Sequence, residues 1–146
     1  MQKYVKVEFK PLSEDAKIFE YVTKGAACAD IYSNEEIVIP PFKPTLVSTG
    51  ISVAIPNGFE MQLRCRSGLA TKGIMLANGI GTIDSDYRGE IKVILTNITS
   101  IPFTINKGDR IAQANVSPVI KAIFEEVEEL SSTERNIGGF GSTGKN

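Results

Sequence analysis

What most constrains this chain is a rhythm of short alternating runs. Apolar and polar residues alternate, or β-branched residues crowd together, in KYVKVEFK, EEIVIP, TLVSTGISVAI, FEMQLR, EIKVILTN, IPFTI and RIAQANVSPV. Between them stand PPFKP, PNG, DYRGE and NKGD, whose prolines, glycines and short polar side chains end strands and set turns. A period of two sends successive side chains to opposite faces of a pleated strand, so each run has one face to bury against another sheet. The spacing predicts an all-β domain of the sandwich, jelly-roll or barrel kind. Helix signal is sparse. One or two turns are expected within SEDAKIFEY, and a short piece in RSGLATKG, where Ser67 is placed to cap the N-terminus. The stretch IGTIDSDYRGEIKVIL reads as a hairpin, with a strand entering through Ile83, DSDYRG turning, and Ile91, Val93 and Leu95 leaving on one buried face.

At 146 residues the chain is long enough for one domain with its own core. It shows no internal repeat, and the β unit runs from residue 1 to about 130. Residues 131–146 close with RNIGGFGSTGKN, a flexible C-terminal arm in which four glycines surround Phe140. Glycine loses the most backbone freedom on ordering, so such a segment is mobile alone: it is either a disordered terminus or a strap that orders only over a ligand. A net charge of −1 argues against a DNA or RNA backbone binder, and any phosphate recognised here belongs to a small molecule. No apolar run approaches the roughly 20 residues of a membrane span, and MQKYVKVEFK lacks the apolar centre of a secretory signal. The expectation is a soluble, cytoplasmic protein with neither membrane nor nucleic-acid partners.

There is no histidine. That removes the Ser-His-Asp triad, the Cys-His dyad and every histidine metal site, so a general base must be a carboxylate, a lysine or a tyrosine. Cys28 and Cys65 form no metal-ligand spacing and no disulfide framework. The five arginines, Arg64, Arg66, Arg88, Arg110 and Arg135, all stand in or beside turn segments. A guanidinium fork fits phosphate oxygens bidentately, and Arg66 with Ser67, at the start of a short helix, suggests an anion site. Taken singly, each arginine is more simply a solvated surface residue. Asp84 and Asp86 bracket a serine in IDSDY, on one side of an extended chain; one suits a catalytic role and the other local turn bonding. Asp30, in CADIY, is either a surface strand residue or an oxygen ligand, direct or through water, for Mg²⁺ on a polyphosphate.

Five ordered segments, AACADIYS, RSGLA, GTIDSDYRGEI, GDRIAQ and RNIGGFGSTG, resemble the five motifs of the trimeric dUTPases over nearly the whole chain after the first twenty residues. The resemblance implies a jelly-roll-like β subunit with one short helix and a C-terminal arm, in a homotrimer whose active sites are shared between subunits. It implies Mg²⁺-assisted hydrolysis of dUTP to dUMP and pyrophosphate, which keeps uracil out of DNA and supplies dUMP for dTTP synthesis. Carried onto this chain, Asp84 would activate the water for in-line attack on the α-phosphorus. Tyr87 would pack under the deoxyribose and refuse a 2′-hydroxyl. Asn78, with the backbone of Gly81, Thr82 and Ile83, would read the uracil edge, and Lys92 would line the same pocket. Arg66, Ser67, Gly68 and Gln113 would hold the phosphates, and Asp30 would hold Mg²⁺ through water. From the arm, Arg135 would approach the γ-phosphate, Phe140 would stack on uracil, and Gly141, Ser142 and Thr143 would close over the triphosphate.

The motifs depart from the family pattern in three places. Cys28 and Ala29 stand where a glycine and an aromatic or apolar residue are usual, Cys65 stands where proline is common, and Asn136 replaces a glycine. Asparagine tolerates left-handed backbone, so the last change is mild. The two thiols read as small buried hydrophobes; the alternative is alkylation sensitivity near the phosphate site. Two other functions fit parts of the pattern. A dCTP deaminase would need an acid/base glutamate and a different pocket after the Arg-Ser pair, and a binding module would have little reason to keep the arm.

Overall fold

The computed structural model describes residues 4–142 and 144. Ten strands and one short helix follow in the order β1 (Glu8–Pro11), β2 (Ala29–Tyr32), β3 (Ile37–Ile39), β4 (Thr45–Ala54), β5 (Phe59–Arg64), α1 (Ser67–Ala70), β6 (Ile74–Leu76), β7 (Gly81–Ile83), β8 (Glu90–Asn97), β9 (Phe103–Ile105) and β10 (Arg110–Pro118). They form one four-stranded sheet in the order β1-β4-β8-β6, a second in the order β2-β10-β5-β7, and a two-stranded β3-β9 ribbon; every strand pair is antiparallel. The fold is thus nearly all-β, as the rhythm predicts.

Alternation decides the core. Along β8, Ile91, Val93 and Leu95 point inward while Glu90, Lys92 and Ile94 take the other face. Val47, Ile51 and Val53 of β4 join them, and Met61, Leu63, Ile111, Ala112 and Ala114 come from the second sheet into the same apolar cluster. Burying a side chain of this size is worth about 1.5–3 kcal/mol, so the two inner faces hold the sheets together. Asn97 is buried among them but satisfied: its amide donates to the Ile39 and Ile101 carbonyls, at 3.2 and 2.7 Å, and its oxygen accepts from Thr99.

Three expectations need correction. IGTIDSDYRGEIKVIL is not a hairpin: β7 pairs with β5 in one sheet, while β8 lies between β4 and β6 in the other. A strand with neighbours on both edges has no room for β7, so DSDYRG crosses between sheets. SEDAKIFEY forms no helix. It makes a single turn, Ala16 N–H to Ser13 O at 3.3 Å, because the Ser13 hydroxyl engages Asp15 and Asn34 and the chain then extends to bridge Glu20 with Asp30. Ser67 does not cap α1 either. Arg66 occupies the N-cap position with extended backbone and no side-chain cap bond.

Two irregularities shape the site. Between Arg110 and Ala112 the β10–β2 register shifts, and between Ser48 and Ser52 the β4–β8 register shifts, with Gly50 at φ 68°. After Pro118 none of the described residues belongs to a helix or strand. Ile120, Ile123 and Phe124 in that segment are each at least 95% exposed.

Candidate active site

Two groups of side chains stand at opposite edges of the second sheet. The first centres on Asp30, buried in β2 rather than on the surface. Gln113 lies directly across from it on β10 and donates to Oδ1 at 3.2 Å. Arg110 Nη1 is 3.4 Å from Oδ2, and Arg66 Nε is 3.3 Å from Oδ1. Arg66 also donates to the Arg110 carbonyl at 3.3 Å. The Arg66 Nε is buried without a well-aligned hydrogen bond, so its tie to Asp30 is ionic. One carboxylate therefore gathers two guanidiniums and an amide, leaving Ser67 and Gly68 exposed beside them at the start of α1, where helical backbone leaves N–H groups free.

Arg110 belongs to this group although nothing in the motif reading assigns it a role. Positions three apart in a regular strand face opposite ways, yet the extra residue at Ile111 turns Arg110 to the same side as Gln113. Cys65 packs against the core and accepts the Leu76 N–H at 3.2 Å, in keeping with the small-hydrophobe reading.

The second group lines a cavity of about 500 Å³ walled by Leu46, Thr82, Ile83, Asp84, Tyr87, Glu90, Lys92 and Ile94. Five of these are residues singled out by sequence. The cavity draws on both sheets: Thr82 and Ile83 end β7, and Glu90, Lys92 and Ile94 are the outward face of β8, with Leu46 opposite Ile94 on β4. Asp84 is exposed, and it also lines a neighbouring cavity of about 640 Å³ with Asp86, Glu60 and Lys121. Asp86 reaches only the latter.

Tyr87 is held at two points. Its hydroxyl donates to the Glu90 carbonyl at 2.9 Å, and its ring lies against Gly89, where an added Cβ would come within 2.6 Å of Tyr87 Cζ. Glu90 accepts from the Ser48 hydroxyl and from the Gly50 N–H at 3.0 Å, with Lys92 Nζ 3.7 Å away. Burial raises the proton affinity of the Glu90 carboxyl, but the Ser48 and Gly50 bonds and the Lys92 charge outweigh it and hold the group below its ordinary value.

The remaining expected residues stay apart from both groups. Asn78 is exposed, and Gly81 packs against Leu63. Arg135 folds back to donate to the Gly138 carbonyl at 2.9 Å, Phe140 is fully exposed, and Gly141 and Ser142 lie on the surface. Asn136 adopts φ 45°, the left-handed backbone expected of it. Thr143 lies outside the described residues.

Comparison with known proteins decides the family. A dUTPase family model matches residues 14–144. The chain belongs to the dUTPase family. The deoxyuridine 5′-triphosphate nucleotidohydrolase of Nautilia profundicola is 53% identical, with 97% of this chain and 100% of that protein covered. The protein of the same name from Wolbachia pipientis wMel is 51% identical, with 97% of each covered. Among solved structures, a variant dUTPase of Staphylococcus bacteriophage 80alpha with dUpNHpp superposes with a TM-score of 0.83 at 27% identity, covering 95% of this chain and 98% of that one. A variant of the dUTPase from phage phi11 of S. aureus, which coordinates a structural Mg(II) ion, gives a TM-score of 0.77 at 26% identity, covering 85% of this chain and 97% of that one. No helix among the described residues is long and apolar enough to cross a membrane.

Proposed function

We propose that dUTP hydrolysis to dUMP and pyrophosphate, the activity of this enzyme family, runs here by in-line attack on the α-phosphorus of a water activated by Asp84, at sites shared between the subunits of a homotrimer. Asp84 suits the task because it is an exposed carboxylate in the cavity wall, beside Tyr87 and the ends of β7 and β8, and no histidine competes for the role. Tyr87, braced by Gly89 and the Glu90 carbonyl, forms the floor for a deoxyribose. A ring fixed this way cannot yield to a 2′-hydroxyl, so ribonucleotides are refused by the clash. Thr82 and Ile83 carry the backbone groups for the uracil edge with Gly81 and Asn78, and Lys92 closes the wall. Arg66, Ser67, Gly68 and Gln113 take the phosphates.

The single observation that carries the shared site is the distance between the two groups. Asp30 and Asp84 flank a four-stranded sheet, about 14 Å across at three strand spacings. Asp84 follows Ile83, which faces Met61, three residues back from the Arg64 that pairs with Gln113. Asp84 lies one residue beyond that, so the two groups stand roughly 20 Å apart on one chain. A base must come within hydrogen-bond reach of the water it activates, directly beside the phosphates. Phosphates held at Arg66 and Gln113 of one subunit therefore meet Asp84 of another. The exposed Ile120, Ile123 and Phe124 supply apolar surface for such an assembly. The arm brings Arg135, Phe140, Gly141, Ser142 and Thr143 from residues 131–146 to close the site.

Mg²⁺ fits as a companion of the triphosphate. Among the described residues no group of three or more potential ligands forms a protein cage. Magnesium commonly keeps several waters and uses phosphate oxygens with one or two carboxylates. Asp30, whose carboxylate has acceptor capacity beyond its three partners, can hold one of those waters. When bound, the ion offsets phosphate charge and favours one triphosphate geometry.

Pyrophosphate release measured with dUTP, dCTP, dTTP and UTP, with and without Mg²⁺, tests the specificity: dUTP alone should turn over efficiently. Asp84→Asn should lose about 10³-fold in kcat with its fold unchanged. Normal turnover in that variant would remove Asp84 as the base, and sedimentation as a monomer at working concentration would contradict the shared site.

A further inference from the structure

We infer that Glu90 is a positioning residue for sugar selection, acting through Tyr87. The inference rests on the reading of Tyr87 as the deoxyribose wall. Glu90 opens β8, and its side chain stands in the cavity between Tyr87 and Lys92, only 22% exposed. It sits where the main-chain ladder fails. Ser48 pairs with Lys92 and Ser52 with Glu90, so four steps along β4 answer two along β8 and the intervening backbone cannot pair regularly. Side chains repair the gap. The Glu90 carboxylate accepts the Ser48 hydroxyl and the Gly50 N–H, and the Thr49 hydroxyl donates to the Ile91 carbonyl at 2.6 Å.

The consequence passes along a short covalent path. Clamping the Glu90 carboxylate to the β4 bulge fixes the start of β8 and with it the Glu90 carbonyl. That carbonyl is the acceptor for the Tyr87 hydroxyl. Gly89, between them, leaves the ring no side chain to rest on but the bare backbone, so the phenol bond sets the tilt of the wall. The same carboxylate draws Lys92 along the rim. Releasing the clamp would let the wall tilt away from the sugar. It would not remove a group that touches the reacting phosphorus.

The test compares kcat/KM for dUTP and for UTP in the parent, Glu90→Ala, Glu90→Gln, Ser48→Ala and Tyr87→Ala, with melting temperatures alongside. Glu90→Ala should lower the dUTP-over-UTP ratio by about tenfold, the scale of one lost hydrogen-bonded constraint, through KM more than kcat. Glu90→Gln keeps an acceptor for Ser48 and Gly50 and should restore most of the ratio. Ser48→Ala should shift it the same way by less, and it decides the matter if Glu90→Ala does not fold. Tyr87→Ala should abolish the preference. An unchanged ratio in Glu90→Ala and Ser48→Ala, with the preference lost in Tyr87→Ala, overturns the inference and leaves the Tyr87 reading intact. A preference that survives Tyr87→Ala overturns that reading and this inference with it. A lower melting temperature with the ratio intact would mark Glu90 as structural only.

Discussion

The Asp30 group and the C-terminal arm are both assigned to the triphosphate, and they are built in opposite ways. Around Asp30 the guanidiniums of Arg66 and Arg110 and the amide of Gln113 are already drawn together on a buried carboxylate. In the arm, Arg135 donates to the nearby Gly138 carbonyl and Phe140 is fully exposed. Side chains ordered during folding lose no further freedom when the ligand arrives, whereas a glycine-rich segment loses it at that moment. The first design favours affinity; the second, on the proposed reading, would allow entry, closure and release. One carboxylate thus orients cations in advance, whereas on the proposed reading the arm would supply a group that the substrate itself recruits.

Truncation before Arg135 is the largest test of this contrast. It should leave the melting temperature unchanged and reduce turnover by about 10²-fold or more, the scale of losing donors that act on developing charge. Thermal denaturation and steady-state kinetics on one preparation would show it, and full activity would mean that the arm does not close. Asp30→Ala should have the converse signature. Two cations lose their shared counter-charge, so stability should fall by about 2 kcal/mol, read by chemical denaturation, while the KM for dUTP rises. If stability held, the group would not be a folding element.

The smallest expected effect is on pH dependence. Because the folded Glu90 carboxyl lies below its ordinary value, its contribution to stability is complete above the ordinary carboxylate range and is lost as pH falls through the lower folded value. Glu90→Gln should therefore flatten the acid limb of the stability curve as pH falls through and below the ordinary carboxylate range, measured by denaturant midpoints. An unaltered limb would separate Glu90 from acid stability and place the acid limb elsewhere.

Most strands were legible because period-two alternation reports burial directly. EIKVILTN and TLVSTGISVAI become β8 and β4 almost to the residue. Pairing was not legible, since alternation records which face is inside and says nothing of which neighbour lies alongside; hence the mistaken hairpin. The same alternation could have found Glu90 and Ile94, which share the outward face of β8 with Lys92. Leu46 follows only from register, and Arg110 only from the bulge that breaks the parity of β10. SEDAKIFEY misled because Ser13 and Asp15 favour local side-chain bonds over a helix.

Gly89 carries a consequence for reading variation in this loop. Its backbone torsions lie outside the region that favours glycine, so flexibility is not what the position requires. What it requires is emptiness, a shelf with no methyl on it across which an aromatic ring can lie flat. Alanine, the mildest of substitutions, would thus be a blunt one here: it would lift the floor of the pocket while leaving every residue that forms that floor in place.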